Sequence, residues 1–297
     1  MTGVYLVKKK SALLDTVVTA SLFLFLGFIT YRVSVGLSYR WDWGVIPNYL
    51  FRWDADKGQW VFNILMEGFF TTIRLSFWSL LLATLIGLVM GIVRTRKRLF
   101  FRLLGRSYVE LIRNIPPLVL VFIFYFFVSD QIMPILGVED FIRSRSETGQ
   151  QWAAFFIAAP ALFTPFVAGV FTVALFQGAY ITEIVRAGIQ AIEKGQWEAS
   201  ASLGMTWWQQ MRFIILPQAA RQVLPPLANE FINTIKYSSI VSIISIQELT
   251  FQGLQVISST QRTIEVWLTV SLMYLLLCFS VSLLARRLEV SLAVKSI

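Results

Sequence analysis

Four polar side chains recur within one apolar stretch of the chain. Asn229, Asn233 and Lys236 fall at i, i+4 and i+7, with Glu230 on their flank. On a helix, that spacing makes one stripe. An ionisable group inside a membrane-length apolar run is costly and is a functional candidate by default. A pocket offering Lys236 near Glu230 with two amides could match both ends of a solute that carries a carboxylate and an ammonium. In the alternative reading, Glu230 and Lys236 pair with each other or with neighbouring helices as structural glue. Glu183 and Arg186 close another apolar run, where they serve either a solute pathway or topology; Glu67 and Arg74 pose the same choice in an earlier run. Glu110 and Arg113 stand at a spacing that allows an i, i+3 pair. The candidate pathway residues are Asn229, Glu230, Asn233, Lys236 and Glu183.

Enzyme chemistry finds few residues to use. The 297 residues include no histidine and one cysteine, Cys278. This removes imidazole acid–base chemistry, the commonest metal ligand and any disulfide framework. No G-x-x-x-x-G-K-[ST] phosphate loop occurs, nor G-x-S-x-G, nor H-E-x-x-H. The expectation is a chain that is not an enzyme and carries no cofactor or metal.

A second constellation lies at about 188–222, a segment longer than a simple turn and too uncharged for a disordered linker. It parses into two short helices. The first, at about Gln196 to Leu203, is built of the small residues Ala199, Ser200, Ala201 and Ser202 between Trp197 and Leu203. Gly204 suits the left-handed conformation that ends a helix. Thr206 and Gln209 form a T-x-x-Q capping box that starts the second helix at Trp207. That helix is expected to stop near Pro217, with Pro225 and Pro226 opening the next apolar run. Small side chains allow close approach of a partner, Trp197 gives an anchor, and Glu198 puts a negative charge at the helix start. The segment is therefore either a docking knob or an amphipathic helix lying on a bilayer.

The elements that must position these residues are membrane helices. Hydrophobic residues make up 56% of the chain and charged residues 14%, against about 25% charged in soluble domains. Six stretches reach the length needed to span hydrocarbon, at approximately 12–34, 64–93, 108–129, 155–185, 223–246 and 263–285. The first follows Lys8, Lys9 and Lys10; it is too long for a signal-peptide core and lacks a small-residue cleavage site, which predicts a retained helix. The net charge of +9 resides in Lys and Arg at alternate ends of the runs. Lys8 to Lys10, Arg94 to Arg106, Lys194 to Arg221, and Arg286 to Lys295 share one side. The other side mixes signs and holds Trp41, Trp43, Trp53, Trp60 and Trp152, as an aromatic belt would. The bias places both termini in the cytoplasm and accounts for the charge without nucleic acid. Gly87 and Gly91 fit close helix packing.

Glu198-Ala199-Ser200, Gly204 and then Ile215-Leu216-Pro217 resemble the EAA loop of ATP-binding-cassette importer permeases. The runs Gly178–Ala199, Ile215–Ile240, Tyr108–Phe126 and Gly68–Arg94 resemble the polar-amino-acid branch of that family, so the likeness covers about 64–290. Ser200 stands where alanine is usual, Tyr237 where Asp or Asn is common, and the first span precedes the family's five-helix core. The resemblance implies an all-α integral membrane protein of six transmembrane helices: a type I importer core preceded by one extra helix. It divides the chain into 1–60 (first helix and first outer loop), 61–290 (transmembrane domain) and 291–297 (tail). It implies a permease subunit in the bacterial inner membrane that moves amino acids. The implied ATPase-docking residues are Trp197, Glu198, Ala199, Ser200, Gly204, Leu216 and Pro217. The implied partners are a pair of ATPase subunits holding ATP and Mg, a second permease chain, identical or related, an extracytoplasmic amino-acid-binding protein, and lipid. The alternative is an ion-coupled secondary carrier of small polar solutes.

Overall fold

The computed structural model describes residues 3–36, 39–96 and 98–294, with side chains described at 14–32, 39–96, 98–138 and 140–287. Lys97 and Lys295 lie outside the described residues, as do the side chains of Lys8, Lys9, Lys10 and Glu139. In chain order the elements are α1 (Gly3–Gly36), α2 (Ile46–Leu50), strands β1 (Phe51–Asp54) and β2 (Gln59–Phe62), α3 (Ile64–Arg94), α4 (Leu99–Asn114), α5 (Pro117–Phe127), α6 (Met133–Ile135), α7 (Val138–Arg143), α8 (Glu147–Phe156), α9 (Phe163–Gln190), α10 (Lys194–Ser202), α11 (Trp207–Gln209), α12 (Leu216–Ser238), α13 (Leu249–Thr260) and α14 (Thr263–Val294). The chain divides into two compact units, Met1–Asp42 and Trp43–Ile297.

Every described side chain of α1 from Leu14 to Arg32 is exposed. Thr19 and Thr30 return their hydroxyls to the carbonyls of Asp15 and Leu26, four residues back. A helix whose backbone and Thr19 and Thr30 hydroxyls are satisfied internally, with its apolar side chains uncovered, suits lipid.

The second unit is built around α3 and α9. Gly87 and Gly91 notch α3 for this contact. A Cβ on Gly87 would lie 2.4 Å from Ile181 Cγ2, and one on Gly91 would lie 2.6 Å from Val185 Cγ1. Ile181 and Val185 thereby enter a buried cluster with Leu80, Ala83, Ile189, Met211, Ile215, Ala219 and Val223. The cluster joins α3, α9, α12 and the 188–222 loop into one core. Filling the notch overpacks it, which costs about 1–3 kcal/mol. Gly87→Val is expected to lower the thermal unfolding midpoint in detergent. Gly27→Val, on α1 where an added Cβ would meet nothing within 4 Å beyond its own helix backbone, is expected to leave it unchanged.

Among the described residues, five helices are long and apolar enough to cross a membrane: Leu14–Arg32, Ile64–Arg94, Pro117–Ile135, Pro160–Gln190 and Thr263–Arg287. The pair Trp207–Ile244 and Leu249–Thr260, bent by 49°, passes the same test together and makes a sixth crossing when counted as one span. The boundaries correct the sequence reading in three places. The third span starts at Pro117 rather than 108, because Ile115 is extended ahead of Pro116 (φ −102°, ψ 138°) and ends α4. The second loop helix does not stop at Pro217. It continues through a π-helical turn, Gln210–Ile215, into α12, where Pro217 occupies the first turn. Pro225 and Pro226 lie inside α12 rather than opening a span. Two lost N–H groups are tolerated there because Ala219 and Val223, just before the pair, are held in the core.

One expected pair changes partners. Arg106 Nε, not Arg113, pairs with Glu110, at 2.7 Å. Outside the spans, that hydrogen bond and charge raise the Arg106 pKa, and burial raises that of Tyr108. Arg74 donates to the carbonyl of Ala154 at 2.6 Å, and Trp78 Nε1 to that of Phe156 at 2.9 Å. Both satisfy the orphan carbonyls that end α8.

Candidate functional site

The 188–222 loop has an inner face and an outer one. On α10, Ser200 is buried and donates its hydroxyl to the Trp197 carbonyl at 3.0 Å. Trp197 is half-buried against the α3–α9–α12 core. Glu198, Ala199, Ala201, Ser202, Leu203 and Gly204 are exposed, and Leu203 keeps 80% of its surface. The helix ends at Gly204 with φ +74°. The Gly204 N–H reaches the Ala201 carbonyl at 2.9 Å and the Met205 N–H reaches that of Ser200 at 3.2 Å. These are the paired bonds of a Schellman termination. Thr206 and Gln209 then close a reciprocal capping box. Leu216 is half-buried and Pro217 exposed at the start of α12.

Two polar contacts fasten the loop to the spans. Gln218 Nε2 on α12 donates to Gln196 Oε1 at 3.2 Å. Arg96, just past α3, lies over Trp207 and Trp208, with its guanidinium carbon 3.8 and 4.6 Å from the ring centroids. At the same end, Glu183 accepts from Arg94 on α3 and from Arg186 on its own helix. Glu183 thus ties α3 to α9 beside the loop. It lies six residues from Gln177, the α9 residue nearest the polar stripe, which is about 9 Å along a helix.

On α12 the structure separates Glu230 from Lys236. Glu230 turns to α9: Gln177 Nε2 donates to Oε2 at 3.2 Å, and Asn233 Nδ2 donates to Oε1 at 3.2 Å. Gln177 also donates to Thr234 Oγ1 at 3.0 Å. Glu230 and Asn233 remain half-exposed, and Asn229 is exposed one turn away. Lys236 instead lines a groove of about 360 Å³ with Ser239, Ser271, Tyr274, Leu275 and Cys278, against α14. No ion pair joins Glu230 and Lys236 among the described residues. Glu230 therefore faces α9 while Lys236 faces α14.

Glu248, which the sequence reading passed over, is fully buried at the break between α12 and α13. Its carboxylate accepts from the Phe251 N–H at 2.8 Å and from the Tyr274 hydroxyl at 2.6 Å. Thr72 on α3 donates to it at 3.4 Å and accepts from the Leu249 N–H at 3.1 Å. This carboxylate caps α13 and fastens the bend to α3 and α14.

The chain matches the family described as binding-protein-dependent transport system inner membrane component over residues 83–294. It is 35% identical over 234 residues to the probable glutamine ABC transporter permease protein GlnM of Bacillus subtilis, covering 77% of this chain and 95% of that one. It is 32% identical over 255 residues to the glutamine transport system permease protein GlnP of Escherichia coli K12, covering 84% and 97%. Among solved structures, it is similar to the crystal structure of an amino acid ABC transporter with histidines. That match has 33% identity and a TM-score of 0.59, over 76% of this chain and 92% of that one.

Proposed function

The chain belongs to the family of binding-protein-dependent transport system inner membrane components, and on that premise we propose that it is the permease subunit of an ATP-binding-cassette importer of amino acids. ATP and Mg belong to a separate ATPase pair. An extracytoplasmic protein delivers the solute, and a second permease chain completes the channel. The 188–222 loop and both termini face the cytoplasm, which the Lys and Arg bias supports.

One observation carries the mechanism: the exposed end of α10 is rigidly joined to α3, α9 and α12. The ATPase docks on Glu198, Ala199, Ser202, Leu203 and Gly204, with Trp197 and Ser200 beneath as support and Leu216 and Pro217 at the rim. When the two ATPases close on ATP, their pull on α10 passes through Met211, Ile215 and Trp207 to the spans. The spans tilt as units because packed cores move between discrete arrangements. The solute passes the exposed side of Asn229, Glu230 and Asn233, where the Glu230 carboxylate receives its ammonium. Lys236 serves a separate point of the pathway. Lys236 faces the groove against α14, whereas Glu230 faces Gln177 on α9.

The test is uptake of a radiolabelled amino-acid mixture into proteoliposomes holding the purified chain, with and without candidate ATPase and binding-protein subunits, and ATP on the loop side. Uptake is expected only when all components are present, and competition then names the amino acid. Uptake by the chain alone on a proton or sodium gradient would replace this reading with an ion-coupled carrier.

A further inference from the structure

The hairpin β1–β2, which lies before the family match begins at residue 83, has two unlike faces. Its register pairs Phe51 with Phe62 and Trp53 with Trp60, and between them Arg52 with Val61 and Asp54 with Gln59. Alternate residues of a strand point to opposite sides. All four aromatic rings therefore share one face, and Arg52, Asp54 and Gln59 lie on the other. Ring centroids are 5.8 Å apart in the Phe pair and 5.7 Å apart in the Trp pair. The aromatic face is uncovered: Phe51, Phe62, Trp53 and Trp60 expose 42, 48, 56 and 67% of their surface. A two-stranded hairpin is marginal in water without a cover for its apolar side.

We propose that this hairpin is an interfacial ribbon whose aromatic face lies in the lipid headgroup layer, at the end of the α3 span opposite the docking loop. The cover is lipid because the face continues into the exposed apolar side of a helix long and apolar enough to cross a membrane. The Phe62 ring lies 5.1 Å from that of Phe70 on α3. Phe70 begins the exposed row Phe70, Phe77, Leu81, Leu85 and Leu88 along one side of that span. Trp favours this depth because its apolar body meets lipid while its indole N–H meets water, and the Phe rings extend the apolar side. The tip is built for water: Asp54 Oδ1 accepts from the Asp56 and Lys57 N–H groups at 3.1 and 3.2 Å, and Gly58 turns with φ +60°. The root is fixed. The Asn63 N–H reaches the Leu50 carbonyl at 2.9 Å, and its Nδ2 reaches that of Asn48 at 2.6 Å. The ribbon therefore sets the depth of α3 in the bilayer.

Single cysteines at Trp53, Trp60, Arg52 and Gln59, in the full chain with Cys278→Ser, report the depth when spin-labelled in phosphatidylethanolamine–phosphatidylglycerol vesicles. Labels at positions 53 and 60 are expected to collide more with dissolved oxygen than with a water-soluble nickel chelate, and labels at 52 and 59 the reverse. Equal nickel accessibility at all four positions overturns the proposal. So does shielding of 53 and 60 that appears only when an extracytoplasmic binding protein is added, since the face would then serve a protein. Replacing Trp53 could itself loosen the hairpin, so the unlabelled chain is compared with Trp53→Phe/Trp60→Phe in brominated-lipid vesicles. The share of tryptophan fluorescence quenched by lipid is expected to fall on substitution. An unchanged share also overturns the proposal.

Discussion

A Gly204→Val permease is expected to reach the membrane at normal yield and to lose its ATPase on purification. The reason is the backbone. Gly204 holds φ +74°, and a Cβ there would meet no atom within 4 Å, so no clash contributes. A side chain in the left-handed region costs about 1–2 kcal/mol, and a β-branched one is a genuine outlier. The helix would leave that conformation and release the Ala201 and Ser200 carbonyls from their bonds to Gly204 and Met205. The exposed edge of Ala199, Ser202 and Leu203 would then change shape. Glu198→Lys reaches the same end by another route. The Glu198 side chain is exposed and makes no ion pair among the described residues, so reversing its charge leaves the fold alone and changes only what a partner meets. Co-purification from detergent extracts and ATP-driven uptake in the same vesicles are the readouts. Two variants that still hold the ATPase and still transport would remove the docking role from this loop.

The features of this loop that were legible in the sequence are those decided by neighbours in the chain. Gly204 and the Thr206–Gln209 box were readable because capping chemistry is complete within four or five residues. The prolines misled for the complementary reason. Pro217, Pro225 and Pro226 each have a local cost, but whether a helix stops there depends on what holds its flanks, and Ala219 and Val223 are held by α3 and α9. Spacing placed Asn229, Asn233 and Lys236 on one stripe, yet it could not say that Glu230 would meet Gln177, 53 positions away, while Lys236 turned to α14. Glu248 left almost no trace. Glutamate is not a favoured N-cap, and its partners Thr72 and Tyr274 lie 176 and 26 positions off. The aromatic hairpin face was visible only as scattered tryptophans, because the register that collects Phe51, Trp53, Trp60 and Phe62 depends on the turn.

Glu230→Gln is expected to keep the assembled complex and lose most of its transport. Glutamine has nearly the volume of glutamate, so the packing of α12 on α9 survives. The amide must give up one of its two acceptor oxygens, at the cost of the bond from either Gln177 or Asn233, each 3.2 Å long. The larger loss falls on the solute. A hydrogen bond to a charged group is worth about 1.5–3 kcal/mol, so an ammonium that meets an amide rather than a carboxylate binds roughly ten- to a hundred-fold more weakly. The half-exposed setting of Glu230 places the effect nearer the lower figure, through screening by water. Concentration dependence separates the two roles of the residue. A rise in half-saturation with ATPase retention and unfolding midpoint unchanged is the mark of solute contact. A lowered midpoint with unchanged half-saturation would make Glu230 a strut between α12 and α9. Lys236→Met provides the contrast in the same assay. If the two residues are separate stations, the double variant multiplies the two losses, because sites without shared partners add in free energy. If one amino acid spanned both residues at once, the second substitution would add little to the first. The double variant therefore tests whether Lys236, on the stripe, and Glu230, on its flank, act as separate stations.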